Sequence, residues 1–172
     1  MIVIANGVDV EVRACRESDV PLLLEFFRSL AAFEKLTISA TEDSVRTALF
    51  GEAPAAHALL AFAEGRPIGY AVYFFTFSTM IGKRGLWLED LYIEPVFRRR
   101  GIGQALMSYL AEIAAKNECG RFEWSVLEWN QSAIRFYEQL GANLLKDWWI
   151  CRLDEAGLRQ VASKLPLANA DE

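Results

Sequence analysis

Two adjacent carboxylates, Glu89 and Asp90, interrupt an apolar run that begins at Leu86 and is closed by Pro95. The run contains β-branched and aromatic residues and is typical of a strand buried on both faces. A carboxylate in apolar surroundings can accept a proton from a reacting group. Neighbours on a regular strand point to opposite faces, so the two acids share one pocket only if a bulge intervenes. Glu89 is predicted to be a base or a substrate-binding group, with a hydrogen-bonded structural carboxylate as the alternative.

An anion-binding loop is indicated directly after this strand. Arg98, Arg99 and Arg100 precede Gly101 and Gly103, where an amphipathic helix is expected to begin. The first backbone N–H groups of a helix lack partners within it and can bind a phosphate. The loop lacks the Gly-Lys-Ser/Thr of a Walker A motif and the third glycine of the dinucleotide fingerprint. The residues alone leave two interpretations open: a phosphate cradle, or glycines needed only for a tight turn.

The composition excludes several classes of protein. The chain has 172 residues, 53% of them apolar, and a net charge of −5. We therefore expect a single domain over residues 1–172, no nucleic-acid partner and a preference for cationic small molecules. A basic signal-peptide segment is lacking, as is any run of about 18 apolar residues, so neither secretion nor a membrane span is expected.

The cysteine and histidine content points to a reducing compartment. Cys15, Cys119 and Cys151 are odd in number and widely spaced, and His57 is the single histidine. Free thiols in the cytoplasm are therefore predicted rather than disulfides, and no metal site is expected.

The hydrophobic pattern predicts alternating strands and helices. The predicted strands cover residues 8–15, 57–63, 68–77, 86–94, 121–127 and 148–153. Helices are expected after the caps Ser18, Thr41 and Asn130, the last two ending at Gly51 and Gly141. A further helix is expected from Ile102 to just before Gly120, with a core-facing stripe of Ile102, Leu106, Tyr109, Leu110 and Ile113. This order predicts an α/β fold with a mixed central sheet flanked by helices. Its core would span about residues 8–155, and the tail over 163–172 would be frayed.

The loop resembles the R-x-x-G-x-G/A pyrophosphate loop of the GNAT acyltransferase superfamily, with Arg98, Gly101 and Gly103 in its fixed places. The order of elements is the GNAT order, and residues 130–142 match the superfamily's second signature, Asn…Phe-Tyr…Gly-Ala. Leu30-Ala31-Ala32-Phe33-Glu34, Phe74-Phe75-Thr76-Phe77 with Ile81-Gly82-Lys83, Leu88-Glu89-Asp90 and Glu128-Trp129-Asn130 are similar to the spermidine/spermine (diamine) N-acetyltransferases. The chain is identified as a member of the GNAT superfamily, resembling its diamine branch.

This resemblance implies the GNAT fold with its bulged central strand, acetyl-CoA as co-substrate, no metal, and a homodimer. The implied cofactor site is Leu91, Tyr92, Ile93, Arg98, Arg99, Arg100, Gly101, Ile102, Gly103, Gln104, Asn130, Ala133 and Tyr137. The implied acceptor site is Phe33, Glu34, Glu89, Asp90, Glu123, Trp124 and Ser125, with Asp147 as a further acidic group.

Acetyl transfer from a thioester to an amine requires the amine to lose a proton and the departing thiolate to gain one. An alkylammonium with a pKa near 10.4 is almost wholly protonated at neutral pH. Glu89 can take its proton directly or through a water. The resemblance implies that Tyr137 protonates the thiolate, with the Leu91 N–H near the thioester oxygen, whereas the residues alone also allow Tyr137 a place in the core. We expect direct attack of the amine on acetyl-CoA within a ternary complex.

The sequence departs from the polyamine enzymes mainly at the acceptor site. Lys146-Asp147-Trp148-Trp149 stands where animal polyamine enzymes have a longer Glu-Glu-Gly segment before a tryptophan, and Phe33 replaces a tyrosine. The acceptor is expected to be a small cationic amine: a diamine, a polyamine or a lysine-like amino acid. The rival hypotheses are acetylation of a protein or peptide amine and a non-catalytic acyl-CoA-binding module. The presence of both Glu89 and Tyr137 argues against the second.

Overall fold

A computed structural model of the chain describes residues 2–5 and 7–165. The chain folds as two compact units, of which the first ends at Asn130 and the second begins at Gln131. Across the described ranges, every helix is too short or too polar to cross a membrane.

The described part of the first unit is one six-stranded sheet with three α-helices. The strands are β1 (Ile2–Ala5), β2 (Val8–Ala14), β3 (His57–Ala63), β4 (Arg66–Ser78), β5 (Lys83–Ile93) and β6 (Arg121–Trp124). The helices are α1 (Val20–Glu34), α2 (Glu42–Phe50) and α3 (Ile102–Lys116). The strands lie in sequence order, and all pairs are antiparallel except β5 with β6. Helix α3 forms the crossover between these parallel strands, so the predicted mixed α/β sheet is confirmed.

Helices cover the sheet and bury its apolar side chains. Val20, Leu23 and Phe26 of α1 pack in one cluster with Leu60 and Tyr70 of the sheet. On α3, the predicted stripe is buried at Ile102, Leu106 and Leu110. The candidate site therefore stands on a rigid, packed sheet.

Helix α1 begins later than the sequence predicts. Ser18, the predicted cap, lies in a 3-10 turn, and α1 starts at Val20 with Asp19 at its N-cap. The Asp19 carboxylate accepts hydrogen bonds from the Arg13 side chain at 2.6 Å and from the Arg16 N–H at 2.7 Å. The Asp19 side chain thus closes the 3-10 turn in which Ser18 lies and also contacts β2, and α1 begins after this turn.

Local signals identified α2 correctly at both ends. Thr41 accepts a hydrogen bond from the Ser44 N–H at 3.2 Å, and Gly51 follows the last helical residue, Phe50. The strand β1, by contrast, was not predicted. It covers four residues, too few to show a period, and pairs with β2 across a turn that contains Gly7 at φ 80°.

The second unit contains α4 (Gln131–Gln139) and α5 (Glu155–Ala162) among its described residues. Helix α4 ends at the predicted stop, Gly141, whose φ is 87°. The Gly141 N–H donates to the Glu138 carbonyl at 2.9 Å, and the Ala142 N–H donates to the Tyr137 carbonyl at 3.0 Å. These two bonds form a Schellman motif, which satisfies the last carbonyls of the helix.

The predicted strand over residues 148–153 is wrong. This segment is irregular, and Trp148 and Trp149 are 79% and 88% exposed. A strand needs a neighbour to pair with, and the described part of this unit contains none. The helix α5, which was not predicted, follows at Asp154, whose side chain accepts from the Gly157 N–H at 2.7 Å. Of the tail predicted to be frayed, residues 166–172 lie outside the described residues.

Candidate active site

A β-bulge in β5 coincides with the two predicted carboxylates. Val72 of β4 lies opposite Asp90 and Tyr73 lies opposite Leu88, so Glu89 is the extra residue between two paired positions. The bulge cancels the alternation that would send neighbouring side chains to opposite faces. The bulge that the resemblance implied is therefore present, and it allows Glu89 and Asp90 to face the same pocket.

Each carboxylate of the bulge has its own aromatic hydrogen-bond donor. The indole Nε1 of Trp87 donates to Glu89 at 3.0 Å, and the hydroxyl of Tyr70 donates to Asp90 at 3.0 Å. Tyr70 belongs to the core cluster beneath α1, and the ring of Trp87 packs beside Phe74, which shares the face of Tyr70 on β4. Both acids therefore lie on the face of the sheet that α1 covers.

The environments of the two carboxylates differ. Glu89 is exposed, whereas Asp90 is half-buried. Burial raises the pKa of Asp90 to about 6, and the charges of Glu89 and Glu34 act in the same direction, while the hydrogen bond from Tyr70 opposes the shift. The site therefore has one solvated acid and one acid that titrates close to neutral pH.

The end of α1 adds Glu34 and Phe33 to this face. Burial raises the pKa of the Glu34 carboxyl. Burial is also the main cause of the raised pKa values of Tyr70 and Asp90, and the charge of Glu34 adds to both shifts. Phe33 lies 5.7 Å from the ring of Trp129. Two of the predicted acceptor-site residues on α1 are thus next to the bulge and to the segment that follows β6.

The predicted acceptor residues on β6 separate into two groups. Glu123 lies opposite Trp87 in the parallel register and therefore shares the face of the bulge. Its carboxylate forms an ion pair with the Arg121 side chain at 2.6 Å. Trp124 points to the other face together with Phe122, 4.9 Å away between ring centres. Ser125 follows the strand and is exposed.

The arginine and glycine loop between β5 and α3 contains two residues in the left-handed region. Arg99 and Gly101 have φ values of 61° and 80°, in the left-handed region. Helix α3 begins at Ile102 without a side-chain cap, so side chains do not occupy its first N–H groups. Gly103 and Gln104 belong to its first turn, and Arg99 and Arg100 are exposed. These groups fit an anionic ligand.

Arg98 connects this loop to the acceptor face. Its Nε donates to the Ile93 carbonyl at 2.8 Å, and its guanidinium lies 5.0 Å from the centre of the Phe33 ring and 5.6 Å from that of Tyr92. The first residue of the predicted pyrophosphate motif therefore also touches a predicted acceptor residue.

The C-terminal half of β5 extends beyond its parallel neighbour. β6 pairs with β5 only at Gly85 to Leu88, and within the described ranges no other strand lies on that side of Leu91, Tyr92 and Ile93. Backbone groups on such an edge can hydrogen-bond an extended ligand that contains amides. This geometry fits the predicted role of Leu91, Tyr92 and Ile93.

Three of the remaining predicted residues, Asn130, Ala133 and Tyr137, lie at the start of α4 or within it. The Asn130 N–H donates to the Leu127 carbonyl at 2.8 Å, and α4 begins at the next residue, as expected of a cap position. Within the second unit, Ala133 and Tyr137 are half-buried, and Tyr137 packs 5.2 Å from the ring of Phe136. Asp147 is exposed.

Within residues 2–5 and 7–165, no three or more His, Cys, Asp or Glu side chains are placed together to hold a metal ion.

Tyr70 and Trp87 belong to the site but were not predicted from the sequence. Their contacts depend on the exact partner of each residue across and along the bulged strand. Trp87 stands two residues before Glu89 in the sequence, whereas Tyr70 is twenty residues from Asp90, so only Trp87 offered a local signal.

Asp90→Asn is expected to stabilise the fold at pH 7 by about 1 to 3 kcal/mol. The pKa of Asp90 is raised from 3.8 to about 6, so the folded state binds this proton more tightly than the unfolded state. Protonated Asp90 therefore contributes to the free energy of unfolding. This contribution is fully present below about pH 4 and is lost as the pH rises to about 6. The amide oxygen of asparagine can still accept from Tyr70. Denaturant unfolding at pH 4 and pH 7 measures the effect, with the exposed Asp9→Asn as control. Equal stability of variant and wild type at pH 7 would contradict the prediction.

Comparison with known proteins places these features in context. The model of the acetyltransferase (GNAT) family matches residues 23–142. A thialysine N-epsilon-acetyltransferase from Sus scrofa is 36% identical over 90% of this chain and 98% of its own length. L-ornithine N5-acetyltransferase NATA1 from Arabidopsis thaliana is 26% identical over 87% of this chain and 86% of its own. Among solved structures, an integron cassette protein from the mobile metagenome of V. cholerae superposes with a TM-score of 0.74 at 26% identity, covering 89% of this chain and 97% of that one.

Proposed function

The chain belongs to the GNAT family of acetyl-CoA-dependent N-acetyltransferases, and on this premise we propose that it acetylates the primary amine of a small acceptor that carries a second positive group. A diamine, a polyamine and a lysine-like amino acid are all such acceptors. The observation that carries this proposal is the bulge in β5, which directs Glu89 and Asp90 to one face of the sheet.

The charge of this face supports a cationic acceptor. Glu34, Glu89, Asp90 and Glu123 lie on or beside it, in a chain whose net charge is −5. Each ion pair with an acceptor amine contributes on the order of 1 kcal/mol or more where water is partly excluded. Because Glu89 is exposed and Asp90 is half-buried, the two acids of the bulge can hold two amines at different depths.

The substrates named for two relatives have this chemistry. Thialysine and ornithine each carry a terminal primary amine and a second amino group. Their names support the part of the proposed range that lies among lysine-like amino acids. They also fit the departures of this chain from the polyamine enzymes at Phe33 and at residues 146–149.

Acetyl-CoA supplies the activated acetyl group as a thioester. The residues available to hold it are the uncapped first turn of α3, preceded by the left-handed Arg99 and Gly101, and the edge of β5 from Leu91 to Ile93. The first offers N–H groups and positive charge to a pyrophosphate. The second offers alternating N–H and C=O groups to the amides of the pantetheine arm.

The catalytic steps fall to three groups of this chain. Glu89 accepts the proton of the acceptor amine, directly or through a water, and the Trp87 indole holds its carboxylate. The N–H of Leu91 stabilises the charge that develops on the acetyl oxygen. Tyr137 donates a proton to the departing thiolate. Direct attack of the amine in a ternary complex needs only these groups.

A panel of amines tests the proposal. We expect a diamine and a lysine analogue to exceed a monoamine of equal chain length by about tenfold in kcat/KM, because 1.4 kcal/mol from a second ion pair is tenfold. Steady-state assays with acetyl-CoA, with product identity checked by mass spectrometry, measure this ratio. A histone-like peptide serves as the comparison substrate. If the monoamine or the peptide has the highest kcat/KM, the proposal of a small dicationic acceptor is rejected.

A further inference from the structure

The hydroxyl of Tyr70 lies inside the aromatic layer between the sheet and α1. Tyr70 is 0% exposed, and its ring is 5.2 Å from Phe27, 5.9 Å from Phe26 and 6.1 Å from Tyr92. A phenol buried among aromatic rings needs an acceptor for its O–H group. That acceptor is the carboxylate of Asp90, at 3.0 Å. The hydrogen bond therefore joins the core to the acidic face.

The neighbours of Asp90 oppose its ionisation, and Tyr70 favours it. The titratable groups around the pair are Glu34 from α1 and Glu89 and Tyr92 from β5, and none of these three carries a positive charge. Burial and the two neighbouring carboxylates favour the protonated form of Asp90. A hydroxyl that donates to the carboxylate stabilises the charged form and also fixes its orientation.

We propose that Tyr70 is a positioning residue that keeps Asp90 ionised and oriented as the binding site for the second positive group of the acceptor. The proposal rests on the proposed function, since it concerns the same acceptor. The proposal assigns a different role to each acid of the bulge. Glu89, which the Trp87 indole holds at the exposed position, serves the reacting amine, and Asp90 serves the distant one. Selectivity for dicationic acceptors thus depends on a hydroxyl that does not touch the acceptor.

Tyr70→Phe removes the hydroxyl and keeps the ring. A hydrogen bond to a charged group is worth about one to two pKa units, so the pKa of Asp90 should rise by that amount and leave about half to nine-tenths of this group protonated at pH 7. The KM for a diamine should then increase about two- to tenfold, while the KM values for a monoamine and for acetyl-CoA stay unchanged. The acidic limb of the diamine pH profile should move to higher pH, and the defect should shrink by pH 9.

The pKa of Asp90 can be measured without turnover. A ¹³C NMR titration of the aspartate carboxyl carbons reports it, and the Asp90 signal is identified by its loss in Asp90→Asn. The matched control is Tyr73→Phe, the same substitution on the opposite face of β4, where the ring of Tyr73 contacts His57 at 5.2 Å. This control should leave the Asp90 titration and the preference for diamines unchanged.

The possible outcomes separate this proposal from the proposed function. An unshifted Asp90 titration in Tyr70→Phe rejects the positioning role, whatever the activity. A shifted titration with an intact preference for diamines rejects Asp90 as the second cation site. If wild type acetylates none of the amines, the proposed function fails, and with it the role of Asp90. Should Tyr70→Phe fail to fold, Asp90→Asn replaces it, and wild-type preference for diamines in that variant overturns the proposal.

Discussion

Tyr137→Phe is expected to lower kcat by about 10²-fold and to leave the KM for acetyl-CoA unchanged. The substitution removes the proposed donor of the thiolate proton and keeps the ring that packs against Phe136. Loss of a general acid has an effect of about this size. Steady-state kinetics at saturating amine measure kcat, and the same assays with varied acetyl-CoA measure its KM.

Tyr109→Phe provides the matched control for this substitution. Tyr109 lies in α3, where it is half-buried, and has no proposed part in the reaction. Its variant should turn over at the wild-type rate. If Tyr137→Phe also has the wild-type kcat, Tyr137 serves only the packing of its helix.

Glu89→Gln is expected to reduce kcat by about 10² to 10³-fold, because the amide cannot accept the proton of the acceptor amine. The shape of the side chain and the hydrogen bond from Trp87 to its oxygen are retained. Below the pKa of the amine, the free-amine fraction rises about tenfold per pH unit. Activity of the variant should therefore recover with increasing pH, as measured by kcat between pH 7 and pH 10.

Glu94→Gln is the control for this variant. Glu94 follows the same strand, and its surface ion pair with Arg66, at 2.9 Å, is worth little. A defect confined to the KM of the amine in Glu89→Gln would assign Glu89 to substrate binding rather than to proton transfer. If Glu89→Gln loses activity equally at pH 7 and at pH 10, the role of Glu89 as the base is also rejected.

Sequence patterns were reliable where the determining contacts are local. Thr41 and Gly51 delimit α2, and Gly141 ends α4, because capping involves only residues within one turn. The buried stripe of α3 follows from its own period. Where contacts with other parts of the chain contribute, the patterns were wrong. Asp19, beside the predicted cap Ser18, binds Arg13 of β2, and the apolar run at 148–153 has no strand partner in the described residues of its unit.

In the candidate site, too, local features were predictable from the sequence and distant contacts were not. The adjacency of Glu89 and Asp90 identified the acids, and the resemblance to a family supplied the bulge that brings them to one face. The donors Trp87 and Tyr70 could not be predicted. The contact of Tyr70 with Asp90 depends on the register of β4 against β5, which an extra residue shifts at that position.

The bulge also bears on how this site could be gained or lost. On either side of Glu89 the ladder is already continuous, with Leu88 opposite Tyr73 and Asp90 opposite Val72. Deleting Glu89 would therefore close β5 into a regular strand without moving its other residues to new partners. A loss of three nucleotides would convert the two-acid site into an uninterrupted sheet with one acid.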